Sequence, residues 1–217
     1  MKLTLPNIFT ISRAVLAPVF MVLFLMGGRV NTLCAVVVFI IAAITDYLDG
    51  WLARKRGESS AWGTLVDPLA DKVLTTAAFV AFALVNYVEW WMVAVVTLRD
   101  VATTLFRSYA DAIGKPLVTS FGAKVKTFVQ MTFIITVLVL GALETLPLPA
   151  WILVLPHYGL LPPVLYVVML AVTAITVWTG VEYFLTNRTV ARRACMRSLI
   201  FTLRLWAKII GKNNAKA

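Results

Sequence analysis

Charge is scarce in this sequence: Asp, Glu, Lys and Arg supply 14% of its 217 residues, against about a quarter in an ordinary soluble domain. With 61% of the residues hydrophobic, that scarcity excludes a soluble globule and leaves a membrane protein. Cysteine is nearly absent. Cys34 lies in an apolar run and Cys195 in a basic tail, two environments that give no reason for a disulfide. The one histidine, His157, lies in a proline-rich segment. A zinc or copper site needs several converging His or Cys side chains, so His157 is assigned a surface position and no chemistry. Acidic residues number ten against twenty basic ones, a net charge of +10. In a chain that crosses a membrane repeatedly, the placement of that charge reports orientation and does not call for a nucleic-acid partner. Repeats and low-complexity linkers are missing, which leaves no sign of a second globular unit joined by a tether.

What is present is a series of six apolar runs, over residues 10–27, 31–50, 64–85, 90–110, 122–143 and 164–186. Each is about 20 residues, enough for a helix to cross a hydrocarbon core of roughly 30 Å. The expected fold is all-α: a bundle of six transmembrane helices over residues 1–187, followed by a cytoplasmic basic amphipathic tail at 188–217. The first run is expected to persist in the mature protein, because Arg13 interrupts it and no small-residue cleavage pattern follows Gly28.

Six spans put both termini on one side, together with Lys2, Arg13, Arg54, Lys55, Arg56, Arg107, Lys115, Lys124, Lys126 and the tail. The opposite loops keep only Arg29, so the positive-inside rule makes the basic side cytoplasmic. The external connection LETLPLPAWILVLPHYGLLPP holds five of the nine prolines, with Trp151 and Tyr158, and suits the headgroup level. In the tail, Arg193, Arg197, Arg204, Lys208 and Lys212 share one helical stripe, and Leu199, Leu203, Trp206 and Ile210 form an apolar one. That pattern fits a helix lying on anionic membrane lipid, with oligomerisation through the same face as the alternative.

Asp46, Asp49, Asp67 and Asp71 crowd into 26 residues at the cytoplasmic ends of the second and third runs. Carboxylates at membrane depth are costly unless a cation or water receives them. Asp46, Asp49, Gly50 and Ala53 are spaced i, i+3, i+4, i+7, and Gly63, Asp67 and Asp71 i, i+4, i+8, so each set occupies one helix face. The short connection from Trp51 to Trp62 would make the two helices antiparallel neighbours and bring both faces to one cleft. An all-oxygen donor set selects a hard ion, Mg²⁺ or Mn²⁺, and four carboxylates can support two such ions. The competing reading pairs these acids with Arg54, Lys55, Arg56 and Lys72 in buried salt bridges or a proton relay.

Taken with Arg54, the fixed positions read D-x-x-D-G-x-x-A-R-x8-G-x-x-x-D-x-x-x-D without a gap. Eight matches at about one in twenty each have a chance probability on the order of 10⁻¹⁰. By this signature the sequence resembles the CDP-alcohol phosphatidyltransferase family. N-I-F-T-I-S-R at 7–13, G-A-K-V-K-T at 122–127 and V-W-T-G-V-E-Y-F at 177–184 resemble its bacterial branch that makes phosphatidylglycerophosphate, so the likeness covers nearly the whole chain. Two features depart from that branch: Asp100 follows Arg99 where a glutamate is usual, and the proline-rich external segment is long.

The resemblance implies transfer of a phosphatidyl group from CDP-diacylglycerol to glycerol 3-phosphate with release of CMP, in a bacterial cytoplasmic (inner) membrane enzyme that is a homodimer with its site facing the cytoplasm. It further implies that Asp46, Asp49 and Asp67 hold one metal ion, and that Asp46, Asp67 and Asp71 help hold a second. Asp71 would also serve as general base. By the same likeness Gly50, Ala53 and Gly63 let the cytidine nucleotide approach the backbone, while Asn7, Thr10 and Arg13 line the same cleft. Arg54 can donate a forked pair of hydrogen bonds to phosphate. The alternatives are a cardiolipin synthase of this family, which would use phosphatidylglycerol as acceptor, and, from another class, a divalent-cation carrier.

Four further cations lie outside the signature: Arg99 and Arg107 in the fourth run, and Lys124 and Lys126 opening the fifth. Arg99, about nine residues into an apolar helix, is costly there unless a cavity or an anion receives it. These cations could converge as a phosphate-binding pocket for the acceptor. Otherwise Arg99 pairs with Asp100 or Asp111, and the lysines snorkel to the interface.

Overall fold

The computed structural model of the chain describes residues 5–56, 63–115, 117, 121–147 and 161–192; the side chains at 5–11, 46–56 and 63–71 lie outside the description. Six long helices run through it: α1 (Leu5–Met26), α2 (Arg29–Arg56), α3 (Gly63–Leu84), α4 (Trp90–Ala112), α5 (Phe121–Glu144) and α6 (Leu161–Thr186). No strand occurs among the described residues. The chain is all-helical, and α5 and α6 are long and apolar enough to cross a membrane.

The helices begin and end near the hydropathic boundaries except at the start of α1, which begins at Leu5, five residues before the apolar run, and at the end of α2. Residues 51–56, expected in a connection, continue α2 to Arg56. Hydropathy marks where a segment leaves lipid, whereas backbone hydrogen bonding continues until a residue opposes it, and the charged run Arg54, Lys55, Arg56 is compatible with a helix. The proline-rich segment at 148–160 lies outside the described residues, with Trp151, His157 and Tyr158. The tail from 193 onward, with its basic and apolar stripes and Cys195, lies outside them as well. Cys34 is free and exposed on α2.

Helix α1 packs along both α2 and α3, which meet each other at few described positions. The close approach rests on small residues: Ala17, Ala35, Ala42, Ala78 and Ala81 are fully buried. Phenylalanines fill the remaining space. Phe20 lies 5.4 Å from Phe39, Phe24 lies 5.4 Å from Phe82, and Phe79 stacks on Phe133 of α5 at 6.1 Å. The turn from α1 to α2 needs two consecutive left-handed residues, Gly27 (φ 62°) and Gly28 (φ 77°), a conformation that side-chain-bearing residues rarely adopt.

The second half is more open. Helix α6 packs against both α4 and α5, and α3 packs against α4, so α4 and α5 stand on either side of a gap. At one end of this half Phe106, Ala110, Tyr183 and Val190 form a small separate core. Asn187, just past α6, is buried there and donates to the Tyr183 carbonyl at 2.9 Å. Among the described residues the bundle is largely apolar outside and carries polar groups within. Leu98, Phe128 and Trp178 are more than 70% exposed, while Arg13, Asp100, Lys126, Gln130 and Thr176 are buried. Lipid accepts that exterior and water would not.

Candidate functional site

The gap between α4 and α5 is a cleft of about 550 Å³. Helix α3 contributes Lys72; α4 contributes Arg99, Asp100, Thr103, Thr104 and Arg107; α5 contributes Lys124, Lys126 and Thr127; and α6 closes it with Tyr183. Arg99, Thr103 and Arg107 are four residues apart and therefore share one face of α4. The four cations singled out in the sequence, Arg99, Arg107, Lys124 and Lys126, are thus brought together, and Lys72 joins them.

Asp100 receives two of these cations. The Lys126 ammonium donates to both carboxylate oxygens of Asp100, across the cleft from α5 to α4. Both residues are at least 95% buried, at 2% and 5% exposure. Arg99 donates from Nη1 to Asp100 Oδ1 at 3.4 Å and from Nη2 to Thr179 Oγ1 of α6 at 3.3 Å. Its side chain lies against Gly180, where an added Cβ would sit 3.1 Å from Arg99 Cγ and Nε. Arg107 and Lys124 are exposed at the rim. The pairing of Arg99 with Asp100 and its convergence with the other cations, posed as alternatives, occur together; Asp111 is not among the residues lining the cleft.

The acidic signature occupies two helix ends. Asp46, Asp49, Gly50, Ala53 and Arg54 lie in the last eleven residues of α2, and Gly63, Asp67 and Asp71 in the first nine of α3. Their side chains lie outside the description, as do those of Asn7 and Thr10 in α1. Arg13 is 2% exposed within α1, the helix that packs along both α2 and α3. Helix α3 links the two regions: Asp71, the last acid of the signature, is followed directly by Lys72 of the cleft.

Sequence reasoning overlooked Thr103, Thr104 and Tyr183 as lining groups, and the support that Thr179 and Gly180 give to Arg99. A signal existed for three of them, since V-W-T-G-V-E-Y-F contains Thr179, Gly180 and Tyr183. What that segment faces depends on how α6 packs, and spacing along one helix does not report it.

A family model described as CDP-alcohol phosphatidyltransferase matches residues 3–178. A probable phosphatidylglycerophosphate synthase of Mycobacterium tuberculosis is 35% identical over 182 residues, covering 82% of this chain and 79% of the relative. CDP-diacylglycerol–glycerol-3-phosphate 3-phosphatidyltransferases of Sodalis glossinidius and Escherichia coli K12 are 34% and 33% identical. They cover 64% and 60% of this chain, and 78% and 74% of their own lengths.

Proposed function

The chain belongs to the CDP-alcohol phosphatidyltransferase family, and on that premise we propose that it transfers the phosphatidyl group of CDP-diacylglycerol to glycerol 3-phosphate, yielding phosphatidylglycerophosphate and CMP. The observation that carries the acceptor is the convergence of Lys72, Arg99, Arg107, Lys124 and Lys126 on one cleft, beside the helix that bears Asp67 and Asp71. A cluster of forked guanidinium and ammonium donors suits a phosphate dianion. Serine carries no phosphate, and a phosphatidylglycerol acceptor would need a second lipid-accessible groove.

The donor set fits a hard divalent ion: four carboxylates, with no His or Cys between residues 46 and 71. Asp46, Asp49, Asp67 and Asp71 would hold a pair of Mg²⁺ or Mn²⁺ ions. When bound, such ions neutralise the pyrophosphate and make CMP a better leaving group. The chain's own groups do the rest. Gly50, Ala53 and Gly63 leave room for the nucleotide, and Arg54 donates to its phosphates, with Asn7, Thr10 and Arg13 on the neighbouring helix. The basic cleft anchors the acceptor phosphate. Asp71 takes the proton of the acceptor hydroxyl as its oxygen bonds to the phosphatidyl phosphorus and the bond from that phosphorus to CMP breaks.

In this reading all six helices span the bacterial cytoplasmic membrane, the active site faces the cytoplasm, the tail at 188–217 lies on anionic lipid, and the protein is a homodimer. The apolar exterior and the basic bias of one set of loops support the topology. A cysteine at Ser59 should then be labelled from the cytoplasm and one at Asn86 only from outside; the reverse pattern would put the site on the wrong face for CDP-diacylglycerol.

The deciding assay supplies purified protein with CDP-diacylglycerol, Mg²⁺ and a panel of acceptors, and follows CMP release together with the lipid product. Phosphatidylglycerophosphate made only with glycerol 3-phosphate is the expected result. Cardiolipin made from phosphatidylglycerol would overturn the acceptor, and metal uptake without CMP release would overturn the enzyme.

A further inference from the structure

Asp100 poses a problem of sign: a buried carboxylate lies among five cations in the lining of the cleft, where it repels any phosphate that enters. If its charge acted only at a distance, the cleft would bind an anion better without it. The contacts indicate another role. Asp100 is the group through which α4 holds the Lys126 ammonium of α5, and these two helices are the walls of the cleft. The same carboxylate takes Arg99 Nη1 at 3.4 Å, while Thr179 takes Nη2 at 3.3 Å and the bare backbone of Gly180 leaves room for the side chain between them.

We propose that Asp100 is a positioning residue for the acceptor: its carboxylate fixes Lys126 and, with the Thr179–Gly180 shelf of α6, fixes Arg99, so that both cations meet the acceptor phosphate already aimed. This rests on the glycerol 3-phosphate reading. Long cationic side chains lose considerable rotamer freedom when a ligand orders them, and a partner that orders them beforehand removes that cost from binding. The ordering contribution outweighs the repulsion, because Lys126 lies at 2% exposure, and without Asp100 its ammonium would be a buried charge lacking its counter-ion.

The test measures KM for each substrate by CMP release from purified protein. Asp100→Asn should raise KM for glycerol 3-phosphate by about tenfold or more and leave KM for CDP-diacylglycerol within about twofold, the second value also reporting that the bundle is intact. Asp100→Glu should recover most of the loss. In the Asp100→Asn background, Lys126→Ala should add less than about threefold, because the two residues act as one unit. Gly180→Ala displaces Arg99 without changing any charge and should raise the same KM by about threefold, which keeps the idea testable if Asp100→Asn does not fold. An unchanged or lowered KM for glycerol 3-phosphate in Asp100→Asn, or in Gly180→Ala where that variant has to stand in, would overturn the positioning role. Fully multiplicative effects of Asp100→Asn and Lys126→Ala would do the same. If the wild-type protein uses glycerol 3-phosphate while these variants behave so, the acceptor reading stands alone; if it ignores glycerol 3-phosphate, both fall.

Discussion

Helices α2 and α3 carry four aspartates within 26 consecutive residues, whereas the basic cleft takes its lining from four helices between Lys72 and Tyr183. The first arrangement is local: helical periodicity alone aligns Asp46 with Asp49 and Asp67 with Asp71. The second is tertiary, since Lys126 meets Asp100, 26 residues away, and Arg99 meets Thr179, 80 residues away, only once the helices have packed. Groups of the first kind are proposed to act on the bond being broken, and groups of the second kind on where the acceptor sits. Substitutions in the two regions should therefore differ in kinetic signature as well as in size.

The largest effect is expected in the acid region. Asp67→Asn should lower kcat by about a thousandfold or more, because an amide lacks the anionic donor that a hard cation requires. Chelation should reproduce the loss in wild-type protein. Full CMP release from the variant in the presence of chelator would remove the metal from the mechanism and with it the contrast between the two regions.

Helix α3 belongs to both regions, so loosening it should affect both. Phe79 is 1% exposed and stacks on Phe133 of α5, tying the helix that bears Asp67, Asp71 and Lys72 to one wall of the cleft. Phe79→Ala leaves a cavity that should cost about 3 kcal/mol. The readout is loss of activity after graded heating in detergent, together with higher KM for both substrates. A variant as heat-resistant as wild type, with only one KM altered, would show the two regions to be mechanically independent.

A smaller and more selective effect is expected in the cleft. Lys126→Ala or Arg107→Ala should raise KM for glycerol 3-phosphate by about ten- to thirtyfold while sparing CDP-diacylglycerol. A fall in kcat with both KM values unchanged would assign these cations to the chemical step.

The same contrast explains what could be read from the residues alone. The six helices follow from apolar runs of sufficient length, and the acid signature from spacing within one or two helical turns, so neither needs knowledge of packing. The cations of the cleft could be singled out one at a time, Arg99 because an arginine nine residues into an apolar helix demands a partner. Their partners could not be chosen. Asp100, adjacent to Arg99, and Asp111, twelve residues further along the same helix, both remained open as partners, and the sharing of Asp100 with Lys126 depends on α4 and α5 both packing on α6. Gly180 shows the same limit, since its bare backbone matters only because Arg99 crosses it.

The smallest effect is expected at a polar contact remote from the cleft along the bundle. Tyr87, in the turn between α3 and α4, donates its hydroxyl to Glu144 Oε2 at the end of α5. Like the Asp100–Lys126 pair, this contact joins residues from separate helices or their turns, and it differs in every respect that sets strength. The oxygens are 3.4 Å apart, beyond the usual 2.5–3.0 Å for such a bond, and the site is open to solvent. The Tyr87 ring is nonetheless half-buried, and this partial burial, and after it the Glu144 carboxylate, push its phenol above the usual range, so it stays protonated at neutral pH. A phenol whose folded pKa is raised contributes a constant stability below its unfolded value near 10, and that contribution is lost only as pH rises through the folded value. Tyr87→Phe should therefore shift stability by less than about 0.5 kcal/mol, with no change in the effect between about pH 6 and 9. Both KM values should stay as in wild type. Thermal inactivation of the two proteins, measured side by side at several pH values, checks this. A loss comparable to that of Phe79→Ala would mean that interhelical polar contacts stabilise this bundle wherever they occur, and the buried Asp100–Lys126 pair would then have no special standing.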